Sequence, residues 1–180
     1  MTMLSTARLR LRGPEEGDAE VLGAYHARNA ERFAPWEPPQ PTAAAGQRAW
    51  IAQQRAQSTL DRPTTFLAFA REGAELVGVV GLSGFAASPP SAMVHYTVDG
   101  AYEGRGYAGE AVRAVLDFAF GALHLDEISA YYHPANARSA RLLERLGFRV
   151  MSVTPAVPGF EHLMKPQAWV VLERSARPAG

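Results

Sequence analysis

Tyr96-Thr97-Val98-Asp99-Gly100-Ala101-Tyr102-Glu103-Gly104-Arg105-Gly106-Tyr107-Ala108-Gly109-Glu110-Ala111 is the most informative stretch of this 180-residue chain. It reads as a strand that runs into a glycine-rich turn, and the turn opens a helix. The first turn of a helix carries free N–H groups and the positive end of the helix dipole. Glycines let the backbone approach an anion closely, so the three parts together make a pyrophosphate site. Arg105 adds a mobile cation. The spacing is not the dinucleotide fingerprint, and no Gly-Lys-Ser/Thr follows, so two common phosphate loops are excluded. The loop alone leaves a plain turn without a ligand as the alternative.

Working outward, Ala92 to Asp99 completes a run of three strands after Thr64 to Arg71 and Glu75 to Phe85. Glu72-Gly73 and Ser88-Pro89-Pro90 supply the turns between them. Further upstream, Arg8-Leu9-Arg10-Leu11-Arg12 alternates polar and apolar, the pattern of a half-buried strand. Asp18 is predicted to cap a helix bearing Val21, Leu22, Ala24 and Tyr25 on one side, and Thr42 a second helix through Gln57. Between them Pro35-Trp36-Glu37-Pro38-Pro39 forms a rigid loop that cannot be helical. Downstream of the turn, Val112, Val115, Leu116, Ala119, Phe120 and Leu123 make an apolar helical stripe. Glu127 to Tyr132 is a short strand. Asn136 opens another helix, with Ala140, Leu143 and Leu146 inward and Gly147 at the C′ position. Phe148 to Val153 and Ala168 to Leu172 are the last strands, and Pro155, Pro158 and Pro166 keep the segment between them irregular. No repeat or linker interrupts the chain. The pattern is a single α/β sandwich domain, residues 1–180, with a mixed sheet whose strand order does not follow from the pattern.

Hydrophobic residues make up 47% and charged residues 20%, which excludes a disordered chain. Lys plus Arg and Asp plus Glu both number 18, so the basic excess of a nucleic-acid binder is missing. There is no cysteine, which removes thiolate nucleophiles and Cys-ligated metals and fits a reducing compartment. The five histidines lack ligand spacing, so no metal is expected. Arg8, Arg10 and Arg12 interrupt the N-terminal stretch, and no segment is long and apolar enough to span a bilayer. The reading is a soluble cytoplasmic protein with neither nucleic acid nor membrane as a partner.

Gly104-Arg105-Gly106-Tyr107-Ala108, followed by Glu110-Ala111, resembles motif A of the GCN5-related N-acetyltransferases (GNAT), Arg/Gln-x-x-Gly-x-Gly/Ala. Asn136-Ala137-Arg138-Ser139, followed by Leu142 to Phe148, resembles motif B. Arg8 to Arg12 and the Asn29 to Pro38 stretch, with Ala34-Pro35-Trp36-Glu37-Pro38, are similar to the RimJ/RimL-type branch, which acetylates the N-termini of ribosomal proteins. The resemblance runs from about Arg8 to Phe148. It implies the GNAT fold, a mixed, mostly antiparallel central sheet flanked by helices. It implies acetyl-CoA as co-substrate and an amine acceptor, either a peptide N-terminus or a small amine, attacking directly in a ternary complex. It also implies that the pantetheine arm pairs with the backbone of Tyr96, Thr97 and Val98, where an N–H is the natural oxyanion donor. The segment Glu103, Gly104, Arg105, Gly106, Tyr107 and Ala108 would meet the phosphates. Asn136 and Ser139 would meet the cofactor arm, and Arg138, with Arg141 less so, its 3′-phosphate. The sequence departs from the family at three places. Glu103 stands where the motif has Gln or Arg, unfavourable beside phosphate unless it points away or pairs with a cation such as Arg105. His95 stands where this branch often has Gly. The 155–166 segment replaces the branch's Gly-x-Trp-x-Asp hairpin.

Amine attack on a thioester needs a neutral amine, a stabilised oxyanion and a leaving thiolate. An α-amine, with a reference pKa of ~7.7–8.0, is already partly neutral at pH 7, unlike a lysine at ~10.4. Few catalytic side chains are therefore required. The resemblance points to Ser139 as hydrogen-bond donor to the departing sulfur; the alternative is a serine that only satisfies the first turn of its helix. Asn136 suits an N-cap with or without a cofactor. His95 titrates near neutrality and can accept a proton directly or through water, or serve as an ordinary strand residue. Tyr96 lines an acetyl pocket or packs on the core, Asp99 ends its strand, and Glu110 suits the helix dipole. Trp36 and Glu37 are read as acceptor-groove residues, with a rigid interhelical connection as the alternative. A non-catalytic acyl-CoA-binding module is the competing class of function. The oligomeric state stays open, a homodimer included.

Overall fold

The computed structural model describes residues 2–58, 64–73, 75–155 and 165–176. Along the chain run β1 (Met3–Ser5), β2 (Leu9–Arg12), α1 (Ala19–Phe33), α2 (Ala44–Gln57), β3 (Thr65–Ala70), β4 (Leu76–Ala87) and β5 (Pro90–Val98). Then come α3 (Tyr107–Gly121), β6 (Glu127–Tyr132), α4 (Ala137–Arg145), β7 (Arg149–Thr154) and β8 (Gln167–Glu173). The strands form one sheet in the order β1-β2-β3-β4-β5-β6-β8-β7. Every pair is antiparallel except β5 with β6.

Side-chain alternation sends the two faces of the sheet to different helices. Leu9, Leu11, Phe66, Val80 and Val94 lie in one core with Val112, Val115, Leu116 and Phe120 of α3 and Leu143 of α4. Leu67, Leu76 and Val79 lie in the other with Leu22 and Tyr25 of α1 and Ile51 of α2. All of β3 is buried because helices cover it on both sides. The result is a three-layer sandwich with the predicted stripes of α3 and α4 facing inward.

Four local features differ from the sequence expectation. β1 carries no sequence signal; its three residues are too few to show a period, and it is held by pairing with β2. Asp18 stands at the start of α1, but its carboxylate takes Arg12 Nη1 at 2.7 Å and the Glu15 N–H at 2.7 Å instead of capping that helix. Thr42 does not cap α2; the N-cap position is Ala43, without a side-chain bond. Ala24 is exposed, while Leu22 and Tyr25 point inward. Asn136 and Gly147 hold their roles: Asn136 Oδ1 accepts the Ser139 N–H at 3.1 Å, and Gly147 ends α4 with φ of +92°. Of the Pro-rich segment, residues 156–164 lie outside the described residues.

The parallel pairing of β5 with β6 is short. It extends only over Ser91↔Glu127, Ala92↔Ile128 and Met93↔Ser129. Beyond Met93 the two strands part, although both continue.

Candidate active site

Where β5 and β6 part, a cleft of about 1170 Å³ opens. Met93 to Val98 form its floor, the glycine turn one wall, and the end of β6 with the start of α4 the other. Apart from Arg105, every residue singled out above for cofactor, catalysis or acceptor lines it: Trp36, Glu37, His95, Tyr96, Thr97, Val98, Glu103, Gly104, Gly106, Tyr107, Ala108, Asn136, Arg138 and Ser139. Its volume lies slightly above the ~300–1,000 Å³ usual for one small ligand.

The glycine turn is anchored from α1. Asp99 ends β5 and accepts the Ala101 N–H at 2.9 Å, capping a short 3-10 turn, Gly100–Tyr102. Arg28 Nε and Asn29 Nδ2, the latter at 3.1 Å, donate to the same carboxylate. The Gly100 N–H in turn donates to Asn29 Oδ1 at 3.0 Å. Burial pushes the Asp99 pKa up, but the Ala101, Arg28 and Asn29 donors outweigh it and hold the carboxyl below its ordinary value. Gly104 and Gly106 have φ of +69° and +83°, the left-handed region, where an L-residue costs roughly 1–2 kcal/mol. Gly106 is the residue from which α3 starts.

From the other side, Arg8 clamps the same loop. Its Nη1 donates to the Arg105 carbonyl at 3.0 Å, and its guanidinium lies 4.1 Å over the Tyr107 ring. Its Nε donates to Glu110 Oε2 at 2.7 Å, while Thr6 Oγ1 donates to Glu110 Oε1 at 2.5 Å. Burial raises the Glu110 pKa, yet the Thr6 and Arg8 hydrogen bonds bring it below the usual carboxylate value. Glu110 thus ties the N-terminal hairpin to α3.

Glu103 does not pair with Arg105. Its Oε1 takes Arg32 Nη2 from α1, and its Oε2 takes Arg138 Nη1 from α4, so the carboxylate bridges opposite walls of the cleft. Arg105 turns outward, with Nη1 3.5 Å from the Ala101 carbonyl and the guanidinium 5.7 and 5.5 Å from the Tyr102 and Tyr107 rings. The two arginines keep further N–H donors beyond those given to Glu103, since each guanidinium carries five.

Tyr96 and Ser139 meet in the cleft, Oη to Oγ at 2.7 Å. Burial pushes the Tyr96 phenol up to about 12, against the smaller effect of the Ser139 bond, so the phenol stays protonated. His95 projects from the opposite face of β5, as the period of two requires, and does not join this pair. Its ring lies across Gly81 of the neighbouring strand, where an added Cβ would collide with His95 Nε2. The residue is exposed, yet the protein packed around it removes enough water to lower its pKa and favour the neutral imidazole. At the mouth, the Trp36 and Glu37 N–H groups both donate to the Phe33 carbonyl at 2.8 Å. Trp36 packs against His133 with ring centroids 5.5 Å apart and planes inclined at 55°, joining the α1–α2 connection to the end of β6. Burial raises the Glu37 pKa. Arg8, Arg28, Asn29, Arg32 and His133 are absent from the sequence-derived site. Arg8 lies in the family-like Arg8 to Arg12 stretch, and Asn29 and Arg32 lie in the family-like Asn29 to Pro38 stretch; these three carry a sequence signal, and Arg28 and His133 carry none.

The acetyltransferase (GNAT) domain family model matches residues 8–149. Over 149 residues the chain is 30% identical to the [ribosomal protein uS5]-alanine N-acetyltransferase of Escherichia coli K12, covering 81% of this chain and 77% of that one. The ribosomal-protein-S5-alanine acetyltransferase of Vibrio fischeri superposes with a TM-score of 0.82 at 23% identity, covering 99% of this chain and 100% of that one. Mycobacterium smegmatis RimJ, solved in complex with CoA-disulfide, superposes with a TM-score of 0.79 at 21% identity, covering 96% of this chain and 85% of that one.

Proposed function

This chain belongs to the acetyltransferase (GNAT) domain family and is an N-acetyltransferase, and we propose that residues 1–180 act as one domain that moves the acetyl group of acetyl-CoA to a protein or peptide N-terminal α-amine. The observation that carries the reading is the cleft at the β5–β6 parting, which gathers a glycine loop, a hydroxyl pair and an aromatic mouth along one path. The residues fit acetyl-CoA. Backbone at Gly104 and Gly106 meets the pyrophosphate, Arg138 a further phosphate, and the free edge of β5 from Tyr96 to Val98 the pantetheine arm. When bound, the thioester supplies an activated acyl carbon and a thiol leaving group.

The chain's own part is positioning and proton handling. Tyr96 and Ser139 share one hydrogen bond between two hydroxyls, so whichever donates, one O–H remains for the sulfur. A β5 N–H polarises the carbonyl. His95, kept neutral, accepts the acceptor's proton through water. Trp36 packs the first side chain of the peptide, and Glu37 holds the incoming ammonium. A cytoplasmic setting agrees with the absence of cysteine. Among the described residues no helix is long and apolar enough to cross a membrane.

The test is turnover of acetyl-CoA, followed as free thiol, against peptides with small N-terminal residues and against small amines. Trp36→Ala and Glu37→Gln should raise KM for peptides and leave acetyl-CoA affinity unchanged. Turnover of small amines but of no peptide would move the acceptor to the small-molecule class. Binding of acetyl-CoA without any turnover would leave a binding module.

A further inference from the structure

The chain contains one lysine, Lys165; all its other basic side chains besides histidine are arginines. That lysine lines the cleft, as do Gln167, Trp36 and His133. Its place comes from the sheet. Ala168 pairs with Tyr132 at the end of β6, so the residues just before β8 flank the cleft where β6 gives way to α4. Lys165 is exposed and makes no ion pair among the described residues. Arginine cannot lose its proton and does not act as an acyl acceptor here. The only side-chain amine of an acetyl-transferring chain thus borders its acetyl-transfer cleft.

We propose that Lys165 is a self-acetylation site, modified in cis. The inference rests on the transferase reading above. The neutral Nζ attacks the thioester carbonyl carbon, a C–N bond forms and the C–S bond breaks. The proton lost from nitrogen ends on the departing thiolate, so the products are acetyl-lysine and free CoA. The lysine is long and flexible, and Glu37 lines the same cleft, able to hold its ammonium form. Once acetylated, Lys165 loses its charge, and the mouth of the cleft becomes more negative.

The full chain is incubated with acetyl-CoA at several pH values, with a peptide N-terminus turned over in a parallel tube. Modification at Lys165 is read by peptide mapping. The expected result is one acetyl group per chain at Lys165, with a rate that saturates in acetyl-CoA and a fraction modified per unit time that does not depend on chain concentration. Lys165→Arg should carry no acetyl group. Peptide turnover without modification of Lys165 overturns the proposal and leaves the transferase reading intact. Equal modification in the heat-unfolded chain, or a rate linear in acetyl-CoA, overturns it as ordinary chemical acetylation. A rate proportional to chain concentration overturns the step in cis. If neither peptide nor Lys165 is acetylated, the transferase reading fails and this proposal falls with it.

Discussion

Tyr96 Oη lies 2.7 Å from Ser139 Oγ, and the two hydroxyls come from elements 43 residues apart in sequence. The contact exists because the Asn136 cap fixes the first turn of α4, where Ser139 sits, against the outer part of β5. Two hydroxyls with one shared bond form a unit that can present a proton from either oxygen. Removing one member leaves the other able to donate. Ser139→Ala and Tyr96→Phe should each lower kcat by about tenfold, and the double variant by about 10²-fold or more, the lower range of general-acid effects. Acetyl-CoA affinity from calorimetry should change little in all three. A loss of melting temperature with normal kcat would mark the pair as packing only.

Glu103 pairs with two cations that line the cleft, Arg32 and Arg138. The Arg138 side chain is 73% exposed, so its pairing with Glu103 is screened and contributes at most ~1 kcal/mol. Glu103→Gln should tighten acetyl-CoA binding up to about fivefold at low salt, and the gain should shrink as salt rises. Titration calorimetry at two ionic strengths checks both the sign and the salt dependence.

A side chain at Gly106 must take a left-handed backbone beside Arg8, with its Cβ 3.4 Å from Nη2. Gly106→Val should raise the acetyl-CoA dissociation constant by about tenfold or more while lowering stability by roughly 1–2 kcal/mol. Unchanged affinity in the folded variant would remove the loop from the phosphate site.

The buried Asp99 links pH to the loop. Its folded pKa is depressed, so its contribution to stability is present above the unfolded value of ~3.9 and is lost as pH falls through the folded value. Asp99→Asn should cost about 1–3 kcal/mol at pH 7 and flatten the acid limb of stability below about pH 4. Denaturant melts across pH give the comparison. Asn29→Ala, which removes the Gly100 and Asp99 contacts together, should weaken acetyl-CoA binding through the same loop.

His95 carries a lowered pKa from burial, so it is neutral through pH 7 and gains a proton only below its ordinary ~6.5. If it accepts the acceptor's proton, kcat/KM should fall on the acid side of that value, and His95→Asn should lose the limb along with part of the rate. An identical profile in the variant returns His95 to a purely structural place over Gly81.

The alternation of Leu9 and Leu11, the stripe from Val112 to Leu123 and the capped turn at Asn136 are legible in the sequence because each is a local pattern with a fixed period or offset. The glycine turn is legible for the same reason. The partners of its acidic members are not. Glu103 reaches Arg32 and Arg138, 71 and 35 residues away, and Asp99 reaches Arg28 and Asn29, 71 and 70 away. Such pairings depend on how α1 crosses the sheet, which no window of sequence contains. The same limit hides which face of β5 carries His95 relative to Ser139. The caps at Asp18 and Thr42 fail for a local reason: Arg12 draws the Asp18 carboxylate away, and the chain enters α2 one residue later.

The parting of β5 from β6 after Met93 also bears on how the molecule meets other chains. A strand with an unpaired flank normally invites addition by any extended segment, and proteins blunt such flanks at the rim of a sheet. Here the unpaired flank lies in the middle of an eight-stranded sheet, within the cleft that Trp36, His133, Arg32, Glu103 and Arg138 also line. An added strand would have to enter between two strands of the same sheet. A slender ligand entering end-on can lie along it. The same gap that makes room for chemistry is therefore shielded from fibre-like self-association by its position, without the lysines or short strands that guard an outer rim.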